Sequence, residues 1–218
     1  DLVREVYGIE GAAAALPGAG VFVGKDRLAS CLKARELGFD VAVLDDGFQH
    51  RRLHRDLDIV IYSPADGSAL RESAAGLKRA DLVLVEKEEL EANAGRDFPP
   101  GLRARPLAYE VVARGFHLAG ERKPIWPADL RDRPLLSFSG IARPLSFEAD
   151  LRSLELNLVE SIRFRDHQPF GAPQMERILS ASRRSGADLI VTTEKDRMRL
   201  GTVRLPLPLY TLKVRLVP

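Results

Sequence analysis

The chain has 218 residues, 33 basic and 31 acidic, and its net charge of +2 excludes the global field that marks a nucleic-acid binder. Its composition, 45% apolar and 29% charged, is that of a globular protein with enough chain for one large domain or two small ones. A single cysteine, Cys31, allows neither an internal disulfide nor a cysteine zinc cluster, so a reducing, cytoplasmic setting is expected; the uncharged stretch from Gly11 to Gly24 is too short and broken for a membrane span, and no secretion signal is present.

Residues 21–24 are β-branched and Gly-terminated, which predicts a strand, and Asp26 predicts the cap of a helix running to about Leu37. Gly38 ends that helix. Residues 41–44 are apolar on both faces and predict a buried parallel strand, completing a βαβ unit. Two more strands are expected at 58–62 and 82–85, with a helical stretch near 70–79 between them. Alternating strands and helices predict an α/β sheet with helices on both faces. The character changes near Pro99-Pro100: segments 107–112 and 116–118, separated by Ala-Arg-Gly, predict a hairpin within a linker. A second α/β unit follows, with strands at 134–140, 158–164 and 188–192 and helices at 144–154 and about 173–185.

The most informative stretch is Val41-Ala-Val-Leu-Asp45-Asp46-Gly47-Phe-Gln49-His50-Arg51-Arg52. Carboxylates at the end of a buried parallel strand lie at the sheet edge where open α/β folds hold their ligands, and such a carboxylate holds Mg²⁺ directly or through water. Gln49, His50 and Arg51 add polar groups at the same rim. The competing reading is a solvated Asp-Asp-Gly turn. One strand later, Arg71-Glu72 offers a guanidinium for phosphate and a second carboxylate for the metal, or else a plain surface pair. In the second unit Phe164-Arg165-Asp166-His167-Gln168 places a histidine suited to proton transfer on a loop, although a polar loop ahead of a helix has the same pattern. Thr192-Thr-Glu-Lys-Asp196 binds an anion or caps a following helix through Thr193. The tract Arg51-Arg52-Leu-His54-Arg55 meets phosphate or an anionic lipid surface, or is a solvated face. Gly18-Ala-Gly20 lacks the third glycine of a dinucleotide fingerprint, so no NAD is expected.

Leu44 to Leu53, Leu70-Arg-Glu72, Phe138-Ser-Gly-Ile141, Phe164 to His167 and Thr192 to Asp196 occur together and in the order of the tetraacyldisaccharide 4′-kinase family, which the chain resembles from about Val21 to Leu200. The resemblance implies an ATP-dependent enzyme of Gram-negative lipid A biosynthesis. Such an enzyme moves the γ-phosphate of ATP to the 4′-hydroxyl of tetraacyldisaccharide 1-phosphate and sits peripherally on the cytoplasmic face of the inner membrane. It implies a P-loop-NTPase-like α/β domain, here 1–103, a β-ribbon linker at 104–133 and a smaller C-terminal α/β domain at 134–218. By position, Asp45 matches the Mg²⁺-associated acid and Glu72 its helper, while Arg71 matches a phosphate contact. Asp46, Gln49 and His50 line the nucleotide and substrate cleft, with Asp46 and His167 as the expected catalytic residues, the histidine deprotonating the sugar hydroxyl. Domain closure assembles the site and excludes water.

The sequence departs from that pattern at two places. It contains no Gly-x-x-x-x-Gly-Lys-Ser/Thr segment to cradle the triphosphate, and Gly8-Ile9-Glu10 stands where the family has Gly-Asp-Glu, so that Ile9 replaces a catalytic aspartate. Three expectations follow: a shortened chain, a split kinase completed by a separate P-loop-bearing chain, or a non-catalytic glycolipid- or nucleotide-binding module.

Overall fold

The computed structural model describes residues 20–63, 72–93, 98–119, 121, 123–166, 168–201, 203 and 205–218. They form two compact units, residues 20–112 with 216–218, and residues 113–215.

In the first unit, helix α1 (Arg27–Glu36) starts where the capping residue requires. The Asp26 carboxylate accepts from the backbone N–H groups of Leu28 (3.0 Å) and Ala29 (3.1 Å), satisfying donors that have no partner inside the helix. Strands β1 (Ile59–Ile61) and β2 (Leu82–Glu86) and the start of β3 (Leu107–Leu118) pair in parallel, with Ile59 opposite Leu82 and Leu84 opposite Leu107. A 3-10 turn at Ala74–Arg79 and helix α2 (Lys87–Asn93) flank β2. Val83 and Val85 point into a small core with Tyr62, Leu77 and Ala80, and partly buried Phe48 packs against it.

The expected strands at 21–24 and 41–44 do not form: both segments are irregular, and Val41 and Val43 are 79% and 92% exposed. A β-branched run becomes a strand when a neighbour accepts its backbone hydrogen bonds and covers its side chains. Among the described residues no strand pairs with either segment. The helix expected at 70–79 contracts to the 3-10 turn, and its beginning, including Arg71, lies outside the described residues.

The expected hairpin at 107–118 is instead one strand, β3, running on through Gly115. Gly115 takes φ +123°, and a Cβ there would stand 2.9 Å from the Ile125 carbonyl oxygen. The missing side chain lets the strand kink without turning back. The end of β3 pairs antiparallel with β4 (Pro124–Ile125), Phe116 opposite Ile125.

The second unit is a doubly covered parallel sheet. Strands β5 (Leu135–Ser139), β6 (Leu158–Arg163), β7 (Leu189–Thr193) and β8 (Leu209–Val217) lie in the order β6-β5-β7-β8, and helices α3 (Pro144–Ser153), α4 (Ala172–Ser185) and α5 (Glu194–Leu200) connect them. The two-residue alternation of side chains divides the apolar content between two cores. Leu135, Leu189 and Val191 meet Phe147 and Leu151 of α3, whereas Leu136, Phe138 and Ile190 meet Ile178 and Ala181 of α4. All of β5 is buried, which suits a strand covered on both faces. Its one mid-strand polar group, the Ser137 hydroxyl, bonds the Ser161 hydroxyl at 2.8 Å. The elements expected here form within a residue or two of their expected bounds; β8 and α2 have no counterpart in the sequence reading.

Glu148 on α3 is buried, and its carboxylate takes two hydrogen bonds from Arg163 on β6, from Nε at 2.6 Å and Nη2 at 2.9 Å, with Arg152 at 3.5 Å. The Arg163 hydrogen bonds hold this carboxyl below the usual carboxylate range against the opposing effect of burial. No helix among the described residues is long and apolar enough to cross a membrane.

Candidate functional site

The block from Asp45 to Arg52 is a compact loop rather than the end of a strand. Asp45 and Asp46 are exposed, and Asp46 takes φ +54°, a left-handed conformation that aspartate tolerates better than most residues. The His50 N–H donates to the Gly47 carbonyl at 3.0 Å and closes a turn. Arg55 staples the loop from below. Its guanidinium donates to the carbonyls of His50 (2.6 Å) and Leu53 (3.0 Å) and grips Asp58 through Nε (2.5 Å) and Nη2 (3.1 Å). That fork raises the Arg55 pKa, chiefly through the Asp58 hydrogen bond. Gln49 and His50 therefore stand exposed on a loop whose backbone is held from inside.

Glu72 joins this block from the other side of β1. Its carboxylate accepts from Arg79 Nη2 at 2.8 Å and Arg51 Nη2 at 3.3 Å, and the Arg79 guanidinium lies 4.5 Å from the centre of the Phe48 ring. The Arg79 hydrogen bond, with help from Arg51, holds the Glu72 carboxyl below its ordinary value. Glu72 was expected at the metal; it is found between two guanidinium groups. The described residues contain no group of three or more His, Cys, Asp or Glu side chains able to hold a metal ion. Two arginines of the basic tract are paired, the exposed Arg51 with Glu72 and the largely buried Arg55 with Asp58.

In the second unit the loop after β6 carries Arg165, Asp166 and Gln168, while His167 itself lies outside the described residues. Lys195 Nζ reaches Asp166 Oδ1 at 3.2 Å. Thr193 caps α5: its hydroxyl accepts from the Asp196 N–H at 3.1 Å and donates to the Asp196 carboxylate at 2.8 Å. Of the two uses open to the Thr192-Thr-Glu-Lys-Asp196 block, the cap is the one seen.

The family model described as "Tetraacyldisaccharide-1-P 4'-kinase" matches residues 12–218. The chain belongs to the tetraacyldisaccharide 4′-kinase family. It is 40% identical over 203 residues to the tetraacyldisaccharide 4′-kinase of Geobacter metallireducens, an alignment covering 88% of this chain and 58% of that protein. To the enzyme of the same name from Bdellovibrio bacteriovorus it is 35% identical over 204 residues, 86% of this chain and 59% of that one. The chain thus spans less than two thirds of the length of these relatives. The crystal structure of LpxK from Aquifex aeolicus, described as an "apo" form in complex with ATP, superposes with a TM-score of 0.58 at 22% identity, covering 86% of this chain and 56% of that one. The α/β fold class expected from the sequence is the fold of this chain, and it is shared with that structure.

The kinase-family motifs Asp45–Arg52 and Glu72, far apart in sequence, are brought together by Arg51 and by Arg79 on Phe48. Sequence reasoning read Arg55 as a phosphate or lipid contact and Lys195 only as part of the Thr192–Asp196 block, and it missed Arg79 and Arg199. Arg55 had a readable signal, since Arg-x-x-Asp at 55–58 is a short-range ion-pair spacing, and Asp196-x-x-Arg199 has the same spacing; the carbonyls of Gly140 and Gln168 that Arg199 also meets, and the Glu72 partner of Arg79, come only with the fold.

Proposed function

We propose that the chain carries part of the site of an ATP-dependent kinase that phosphorylates the 4′-hydroxyl of tetraacyldisaccharide 1-phosphate, working peripherally at the cytoplasmic face of the inner membrane. Family membership over residues 12–218 is the observation that carries this reading. In the proposed reaction the bond from the γ-phosphorus to the β–γ bridging oxygen breaks while the bond from the 4′-oxygen to that phosphorus forms. The hydroxyl proton passes to His167 acting as base, and the ADP oxygen leaves with its charge. Asp46, Gln49 and His50, held on the Arg55-stapled loop, contact nucleotide and sugar, and Arg71 meets phosphate.

The exposed carboxylate of Asp45 is a hard oxygen donor of the kind Mg²⁺ takes, whereas the Glu72 charge is met by Arg79 and Arg51. Mg²⁺ held there supplies charge neutralisation to the polyphosphate. We therefore assign Asp45 to the metal and Glu72 to anchoring Arg51 beside the loop.

The test is to incubate the protein with tetraacyldisaccharide 1-phosphate in detergent micelles with Mg²⁺ and ATP, and to follow the 4′-phosphorylated product by mass spectrometry. Asp45→Ala is expected to lower turnover by about 10²-fold or more. Unchanged turnover in that variant refutes the assignment of Asp45. Product that forms only after a separate P-loop-bearing chain is added makes this chain one component of a split kinase. Glycolipid binding with no product under either condition replaces the kinase reading with that of a binding module.

A further inference from the structure

In the second unit the chain passes from β5 to β6 on one side, then crosses to β7 on the other, so the C-terminal ends of β5 and β7 flank a topological switch point. Open α/β sheets hold ligands in the crevice at such a point. Here the chain's own charges fill it. The Asp196 side chain has no exposure, and its carboxylate accepts from the Gly140 N–H (2.9 Å), the Thr193 hydroxyl (2.8 Å) and Arg199 Nη1 (2.9 Å). The same Arg199 nitrogen donates to the Gly140 carbonyl at 2.8 Å, and Nη2 donates to the Gln168 carbonyl. A Cβ at Gly140 would stand 3.3 Å from both Arg199 Nη1 and Asp196 Oδ1 and 3.4 Å from the Arg165 carbonyl, so the clamp closes tightly on a position without a side chain.

The consequence is specific to one loop. Asp166 and Gln168, the sequence neighbours of His167 on either side, are each bonded to α5, the first through Lys195 and the second through Arg199. The loop also closes on itself: the Gln168 N–H donates to the Arg165 carbonyl at 3.1 Å, and Gln168 Oε1 accepts from the Arg165 N–H at 3.2 Å. Two flanking residues are tied to one seven-residue helix, and a buried carboxylate orients the guanidinium that makes the second tie.

We infer that Arg199, oriented by Asp196 and assisted by Lys195, is a positioning residue that holds Asp166 and Gln168, the sequence neighbours of His167, against α5. The inference rests on the kinase reading above for what the loop does, and on the hydrogen bonds alone for the clamp. Arginine is required because one planar fork must serve a carboxylate and two carbonyls in different directions, which a lysine ammonium does not reproduce. Lys195, 47% exposed and facing Asp166, is a point-charge tie of the kind that contributes little to global stability.

Two charge-informative variants test this. Arg199→Lys keeps the charge and loses the fork; Lys195→Met removes the surface tie without touching the core. In Arg199→Lys, amide hydrogen exchange at Arg165, Asp166 and Gln168 is expected to accelerate about tenfold or more, while amides of α3 and α4 hold their rates. Lys195→Met is expected to accelerate the same amides about two- to fivefold with an unchanged Tm. The His167 imidazole resonances shift in Arg199→Lys, where no charge has been removed, while those of His50, His54 and His117 stay in place. Exchange that rises uniformly across the second unit, or a His167 signal that does not move, overturns the inference and leaves the pair as ordinary fold stabilisation. Turnover separates the two readings: a loosened loop with lower kcat and unchanged KM for ATP supports both, whereas a loosened loop with unchanged kcat keeps the clamp and removes His167 from the base role.

Discussion

Residues 41–44 and β7 are nearly the same kind of sequence, a short β-branched apolar run leading into acids, and they meet opposite fates. Leu189, Ile190 and Val191 are completely buried between β5 and β8, with α3 packed below and α4 above. Val41 and Val43 stand almost fully exposed with no strand beside them among the described residues. The difference is one of neighbours. A strand in a parallel sheet is stabilised by two ladders and two covered faces, and nothing in the run itself substitutes for them.

The sharpest way to break that comparison is to empty each site. Phe138→Ala removes a fully buried ring packed edge-to-face against Phe164 and Phe170, and is expected to destabilise the second unit by about 3–5 kcal/mol in urea unfolding. Val43→Ser, by contrast, should change stability by less than about 0.5 kcal/mol. A Val43→Ser cost comparable to that of Phe138→Ala means that the exposed run is covered in solution.

Glu148 sharpens the comparison through pH. Its carboxyl is held below the ordinary value by Arg163, so its contribution is complete above the unfolded carboxyl pKa of about 4.3 and disappears as pH falls through the lower folded value. Glu148→Gln is expected to cost about 1–3 kcal/mol at neutral pH, because hydrogen bonds between charged groups are lost. Below about pH 4 the gap to the parent should narrow, and denaturant melts at several pH values read it directly. A gap that stays constant with pH shows that the ion pair contributes nothing of its own.

The smallest expected effect belongs to the first unit. Asp26→Ala deletes the cap of α1 and should cost about 1 kcal/mol, seen as faster amide exchange at Leu28 and Ala29 with the second unit unaffected. Asp26→Asn, which keeps an acceptor, should restore most of the protection.

Local signals carried much of the fold. Asp26 began α1 and Thr193 began α5 because a short side chain with an acceptor oxygen satisfies helix donors wherever it falls. The alternation of β5, β6 and β7 with α3 and α4 was legible because each run had the length and apolar pattern of a strand or of a helix. The reading failed where the outcome hung on a partner. Residues 41–44 looked like a strand and lacked a neighbour, and Gly115 looked like a turn but became a kink because both halves of β3 found partners. For Glu72, expected at the metal, the fold adds two guanidinium neighbours, Arg79 and Arg51, that the sequence did not announce.

By itself the sequence determined the family, the α/β class and the motif blocks at 45–52 and 192–196, since these depend on residue identity and spacing along the chain. The tertiary structure alone decided that Arg51 meets Glu72 and that Arg199 ties Gln168 to Gly140. Those partners are 21 and 31 residues apart for the side chains concerned. Such pairings form only when packing of the apolar faces has already brought the strands' ends together, and no local preference encodes them.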